Sequence, residues 1–127
     1  IIKTLIIFFS KPTGYFEATD AALPDVDWSL NLEICDLINE REDGPKDAIK
    51  AIRKRLVQNA GKNHTVVKYT LIVLETCVKN CGKRFHVLVC NKEFVQELVK
   101  LIDADLSCKH SRKFLVLDKK INHLSYL

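Results

Sequence analysis

Residues 63–82, NHTVVKYTLIVLETCVKNCG, read as one long helix. Asn63 is placed to cap its start, since an amide oxygen there can accept from a free backbone N–H. Gly82 stands where a helix end favours a left-handed residue. Between them Val66, Val67, Tyr69, Leu71, Ile72, Val73, Leu74, Cys77 and Val78 cover more than one side of the cylinder. A helix apolar on several faces must be flanked on several faces, so this one sits at the centre of the fold.

Working outward, the chain supplies the flanking helices. After the link 60–62, going backwards, residues 45–59 form a helix with Pro45 in the first turn, where proline is tolerated. Its inner face is Ala48, Ile49, Ile52 and Leu56; Lys46, Lys50, Arg53 and Lys54 line the outer one. The preceding helix runs from a cap at Asp25 to about Arg41. Residues 16–23 predict a short helix that Pro24 ends. Beyond Gly82, residues 83–90 form a short helix, and Asn91 caps another to Ile102. Short links make neighbouring helices pack nearly antiparallel. No period-two alternation survives across the middle of the chain, so the class is all-α.

Composition bounds function loosely. The 127 residues suffice for one small domain, and a net charge of +4 is too mild to argue for nucleic acid. Residues 1–9 are largely apolar but far short of the roughly 20 needed to span a bilayer. No small-residue cleavage site follows them, so they read as a packed or loose end. Five cysteines without short-loop spacing point to free thiols in a reducing compartment. Cys77, Cys81, His86 and Cys90 do not match a closed zinc pattern and lie among Val, Leu and Phe. The cysteines read as buried small hydrophobes, and no metal and no cofactor is expected. Phosphate loops, HExxH and GxSxG are absent. A binding module is expected, not an enzyme.

Two surfaces are candidates for binding. In the helix after Asp25, Leu30, Ile34, Leu37 and Ile38 share one side, while Trp28, Leu32 and Cys35 make a second stripe roughly opposite. That second stripe either packs internally or forms a small exposed patch for a partner. Charge is also split. Residues 25–43 hold seven acids and one base; residues 46–62 hold six bases and one acid. The basic strip Lys46, Lys50, Arg53, Lys54 either pairs within the molecule or meets anionic lipid headgroups. It contains no aromatic for base stacking, which argues against nucleic acid.

Three blocks, DWSLNLEICDLINE (27–40), GPKDAIKAIRKRL (44–56) and LETCVKNCGKRFHVLVCNKEFVQELVKLI (74–102), resemble a VHS domain of the target-of-Myb group, with the STAM and Hrs proteins next. The resemblance covers residues 17–102. It implies a right-handed α-superhelix shared with ENTH domains, in non-enzymatic adaptors of endosomal and vesicular protein transport. Such proteins are cytoplasmic and peripheral on endosomes. In VHS domains that bind ubiquitin, a Trp and a Leu four residues on carry the contact; Trp28 and Leu32 hold those positions here. The resemblance therefore implies weak binding of ubiquitin or ubiquitinated cargo, alongside other endosomal sorting proteins. Some relatives bind phosphoinositides, which would suit Lys46, Lys50, Arg53 and Lys54. The alternatives are phosphoinositide binding without ubiquitin, or a structural fragment with no partner site. Residues 1–16 and 103–127 do not resemble the family's ends, so about five family helices are expected, with Val95, Leu98, Val99 or Leu101 left exposed. Receptor recognition of acidic dileucine signals uses later helices and is not assigned.

Overall fold

The computed structural model describes residues 17–107. A 3₁₀ turn (Glu17–Thr19) leads to five helices: α1 (Trp28–Glu40), α2 (Gly44–Asn59), α3 (His64–Asn80), α4 (Lys83–Val89) and α5 (Lys92–Leu106). There is no strand among the described residues. The all-α expectation holds. The apolar start at residues 1–9 lies outside the described residues.

The long apolar stretch is α3, and it is central. It packs against the 3₁₀ turn, α1, α2 and α4, while α2 also touches α1, α4 and α5. Val66, Val67, Tyr69, Leu71, Val73, Leu74 and Cys77 are all buried. Thr70 and Thr76 are buried on the same helix and donate to the carbonyls one turn back, Val66 O at 2.7 Å and Ile72 O at 2.8 Å. Their hydroxyls are thereby satisfied without leaving the core. On α2 the expected inner face is observed: Ala48, Ile49, Ile52 and Leu56 are buried.

Helix starts follow their caps. The Asn63 side chain accepts from Val66 N, and Asn91 accepts from Glu93 N and Phe94 N. Two boundaries differ from expectation. Asp27, not Asp25, caps α1, accepting from Leu30 N at 3.0 Å; Asp25 instead binds the next amide, Val26 N. Of the short helix expected over residues 16–23, residue 16 lies outside the described residues, and residues 17–23 form no helix beyond the three-residue turn. Asp20 Oδ1 takes Ala22 N and Asp20 O takes Leu23 N, so the aspartate closes a turn in place of a helical rung.

Gly82 is not left-handed. Its φ is −82°, and it begins α4, while Cys81 ends α3. Among the described residues the left-handed glycine is Gly61, at φ 72°, in the α2–α3 link. There the backbone must reverse within a few residues, which a side chain would resist. Gly61 N donates to Asp105 Oδ1 at 3.1 Å, and His64 Nδ1 lies 2.8 Å from the same oxygen. Asp105 is buried and sits near the end of α5, three residues beyond the expected stop at Ile102. Helix α5 thus continues past Ile102 and ties the end of the fold back to its middle. Leu98, expected to be exposed, is buried at 1%, and Val95, Val99 and Leu101 are half-buried. Residues 114–117, which could have covered them, are outside the described residues.

The N-terminal approach is pinned to the core from two sides. Tyr69 Oη donates to Leu23 O at 3.0 Å, and Arg55 Nε donates to Thr19 Oγ1 at 2.9 Å. These bonds fix where the chain enters α1, and hence the direction in which α1 presents its outer face.

Candidate functional site

The helical wheel of α1 sorts its side chains. Asn31, Ile34, Cys35 and Ile38 are buried, and Leu30 and Leu37 are half-buried against the core. Trp28 remains 59% exposed and Leu32 48% exposed. Both are large apolar side chains one turn apart, so they form a continuous apolar step on the surface. Ser29, Glu33, Asp36 and Glu40 share the exposed arc. The step is therefore set in an acidic field and suits a partner whose own apolar patch is flanked by cations.

One residue of the expected second stripe is elsewhere. Cys35 is 1% exposed and belongs to the core. Seven residues beyond Trp28, it lies within about 20° of it on the wheel but two turns further along α1, where Cys77 of α3 packs against it at 3.9 Å. The apolar surface is thus two residues wide, not three.

The basic strip is also narrower than expected. Lys46, Lys50 and Lys54 are exposed along one edge of α2, with Val57 at 51% exposure beside them. Arg53 turns away: its Nε lies 2.8 Å from Glu97 Oε2, and its guanidinium is 5.7 Å from the Phe94 ring centroid. That side chain links α2 to α5. Arg53 pairs within the molecule, while the three lysines make no ion pair among the described residues.

The cysteines rearrange the metal question. His86 Nε2 contacts Val78 O at 2.6 Å, and both His86 and Cys90 are exposed. The quartet of Cys77, Cys81, His86 and Cys90 therefore does not converge. Cys77 and Cys81 instead meet Cys35, and the three sulfurs lie within 4.8 Å of one another. All three are buried. Cys35 Sγ donates to Cys77 Sγ at 3.9 Å, and Cys81 Sγ lies 3.9 Å from the Cys35 carbonyl oxygen. Bonds from Cys35 and then Cys77 pull the Cys81 thiol below its usual range, against burial and the Asp36 charge. The Cys77 thiol is pushed up by its bonds to Cys35 and Cys81 and by burial. For Cys35 the bond to Cys77 acts downward, but the bond to Cys81, burial and the Cys81 charge outweigh it and raise the thiol. Sequence reasoning missed Cys35 as the third member because it lies 42 residues before Cys77. Its apolar register on α1 was the one available signal.

No helix among the described residues is long and apolar enough to cross a membrane. A VHS domain family model matches residues 16–125, running past Ile102, where the resemblance read from the three blocks ends. The chain is 53% identical to human "TOM1-like protein 2" over 114 residues, 87% of this chain and 21% of the relative. It is 51% identical over 116 residues to mouse "Target of Myb1 membrane trafficking protein", 90% of this chain and 23% of that protein. "TOM1-like protein 9" of Arabidopsis thaliana is 37% identical over 100 residues, 79% of this chain and 14% of the relative. The chain thus spans about a fifth of the length of the first two relatives.

Proposed function

The chain belongs to the VHS domain family, and on that premise we propose that it is a non-catalytic adaptor module of endosomal and vesicular protein transport that binds ubiquitin weakly through Trp28 and Leu32. The observation that carries this reading is the exposure of both side chains on one edge of α1. An isolated apolar step on an otherwise acidic arc gains from being covered, and tryptophan is the side chain most enriched where binding energy concentrates. The fold expected with it, an all-α superhelix, agrees with five packed helices and the family match. One relative carries membrane trafficking in its name, which fits this role. The module would work in the cytoplasm, peripherally on endosomes, among ubiquitinated cargo and other sorting proteins.

A two-residue apolar step buries little area, so affinity is weak and several modules together supply what one cannot. The test is an NMR titration of labelled chain with ubiquitin. Shifts should cluster on α1 around Trp28 and Leu32, and Trp28→Ala should weaken binding at least about tenfold. Shifts spread elsewhere, or an unchanged affinity in the variant, would remove ubiquitin from the reading.

A second reading rests on α2. Lys46, Lys50 and Lys54 present three ammonium groups, without an ion pair among the described residues, on one edge with the exposed Val57 among them. Such an edge suits an anionic, partly apolar membrane surface, at about 1 kcal/mol per lysine near the headgroups. The double variant Lys50→Glu, Lys54→Glu should abolish sedimentation with vesicles containing phosphoinositides while leaving ubiquitin binding unchanged. Equal sedimentation of the variant and the parent would show that this edge does not meet lipid. Arg53 is left out of the test because its change would break the link to α5.

A further inference from the structure

We propose that Cys35, Cys77 and Cys81 form a three-thiolate site for a soft closed-shell cation, with Cu(I) as the ion of best fit. The three side chains come from α1, from α3 and from the residue that ends α3. Chain folding alone brings them together, since Cys35 lies 42 residues from Cys77 in sequence. An ion centred among sulfurs no more than 4.8 Å apart sits within about 2.8 Å of each. Metal–thiolate bonds are about 2.3 Å long, so a contraction of about half an ångström per sulfur closes the site. Three such bonds in a plane set sulfurs about 4.0 Å apart. The Cys35–Cys77 pair already stands at 3.9 Å.

The donor set selects the ion. Thiolates favour Cu(I) and Zn(II) over harder cations. Structural zinc takes four ligands in a tetrahedron. Here the nearest additional candidates by sequence, His86 and Cys90, stay outside the cluster, and His86 Nε2 is held by Val78 O. Cu(I) needs no fourth ligand and is satisfied by a dry, trigonal set of sulfurs. Burial at 1%, 0% and 4% for Cys35, Cys77 and Cys81 supplies the exclusion of water and oxygen that such an ion requires. On binding, each proton still held on the three sulfurs leaves for water and a metal–sulfur bond replaces it. The copper oxidation state does not change.

The experiment uses the full chain with Cys90→Ala and Cys108→Ala, so that three of its five cysteines remain. The reduced protein is titrated anaerobically with Cu(I) against a chromophoric Cu(I) chelator. The expected result is one ion per chain. X-ray absorption should show three sulfurs at about 2.3 Å and no nitrogen or oxygen neighbour. Adding Cys35→Ala should weaken binding at least tenfold. If that variant does not fold, the sulfur count on the parent decides by itself. Failure to compete with the chelator, two sulfurs or fewer, or affinity indifferent to Cys35→Ala would each overturn the proposal.

Discussion

Gly44→Ala should lower the melting temperature by roughly 10–20 °C, equivalent to about 3 kcal/mol in a domain of this size. Gly44 is buried at the first position of α2, where α1 and α2 are joined by a tight turn. A Cβ placed there would overlap the Ile38 carbonyl oxygen and come within 2.9 Å of the Ile38 carbonyl carbon and Cα. All three atoms are backbone, so no rotamer change can relieve the contact. Ile38 is itself 0% exposed and held in the core, so α1 cannot slide away without opening the packing behind it. The clash can be relieved by moving α2, which carries Ala48, Ile49, Ile52 and Leu56 into the same core. Gly82→Ala is the control. An added Cβ there meets nothing within 4 Å. Its backbone is at φ −82°, which alanine adopts freely. That variant should stay within about 1 kcal/mol of the parent by thermal denaturation followed by circular dichroism. A large loss at Gly82 with none at Gly44 would mean that α1 and α2 do not approach as described.

The contrast between the two glycines shows what could be read from sequence. Gly82 follows a long apolar run and so invites assignment as a left-handed terminator, a purely local inference. What happens at a helix end depends on the next element. Lys83 starts α4 at once, and the glycine serves that start instead. The demand on Gly44 is a contact between two helices, invisible until their crossing is known. The same division runs through the rest of the molecule. Apolar register placed the buried faces of α2 and α3 because a period of 3.6 residues reports burial directly. On α1 it set Trp28 and Leu32 in a second stripe together with Cys35, and register alone left open whether that stripe is covered; the structure exposes the first two and buries the third. Local register could not show that Arg53 leaves the basic edge for Glu97 and Phe94, or that Cys35 joins two thiols from α3. Both depend on partners more than 40 residues away. The choice between Asp25 and Asp27 as a cap failed for another reason. Two aspartates two residues apart compete for the same role, and only the trajectory fixed by Tyr69 and Leu23 separates them.

Phe85→Ala should cost about 3–5 kcal/mol, the largest effect expected from any single truncation among the described residues. Phe85 is 0% exposed and heads the fully buried side chains by volume. It sits on α4, a helix of seven residues, too short to be stable by itself in water. Helix α4 is therefore held by what it buries, and it packs against α2, α3 and α5 together. Deleting the ring removes the largest fully buried side chain that α4 contributes to the core and leaves a cavity there. The adjacent residue adds a second hold. Arg84 donates to Arg41 O and Glu42 O at 3.1 Å and to Asn39 O at 3.2 Å, joining α4 to the end of α1. Those bonds are exposed, so Arg84→Ala should cost about 1 kcal/mol, well below the ring. Val87, on the same helix at 70% exposure, should tolerate alanine with no measurable change. A total stability of about 5–15 kcal/mol is usual for a domain, so losing Phe85 removes a large share of it. Urea titrations of the three variants test the ranking: Phe85→Ala should shift the midpoint far more than Arg84→Ala, and Val87→Ala not at all. Equal midpoints for Phe85→Ala and Val87→Ala would mean that α4 is not docked. In that case α5, which reaches the core beside α4 and through Arg53, would lose much of its reason for standing where it does.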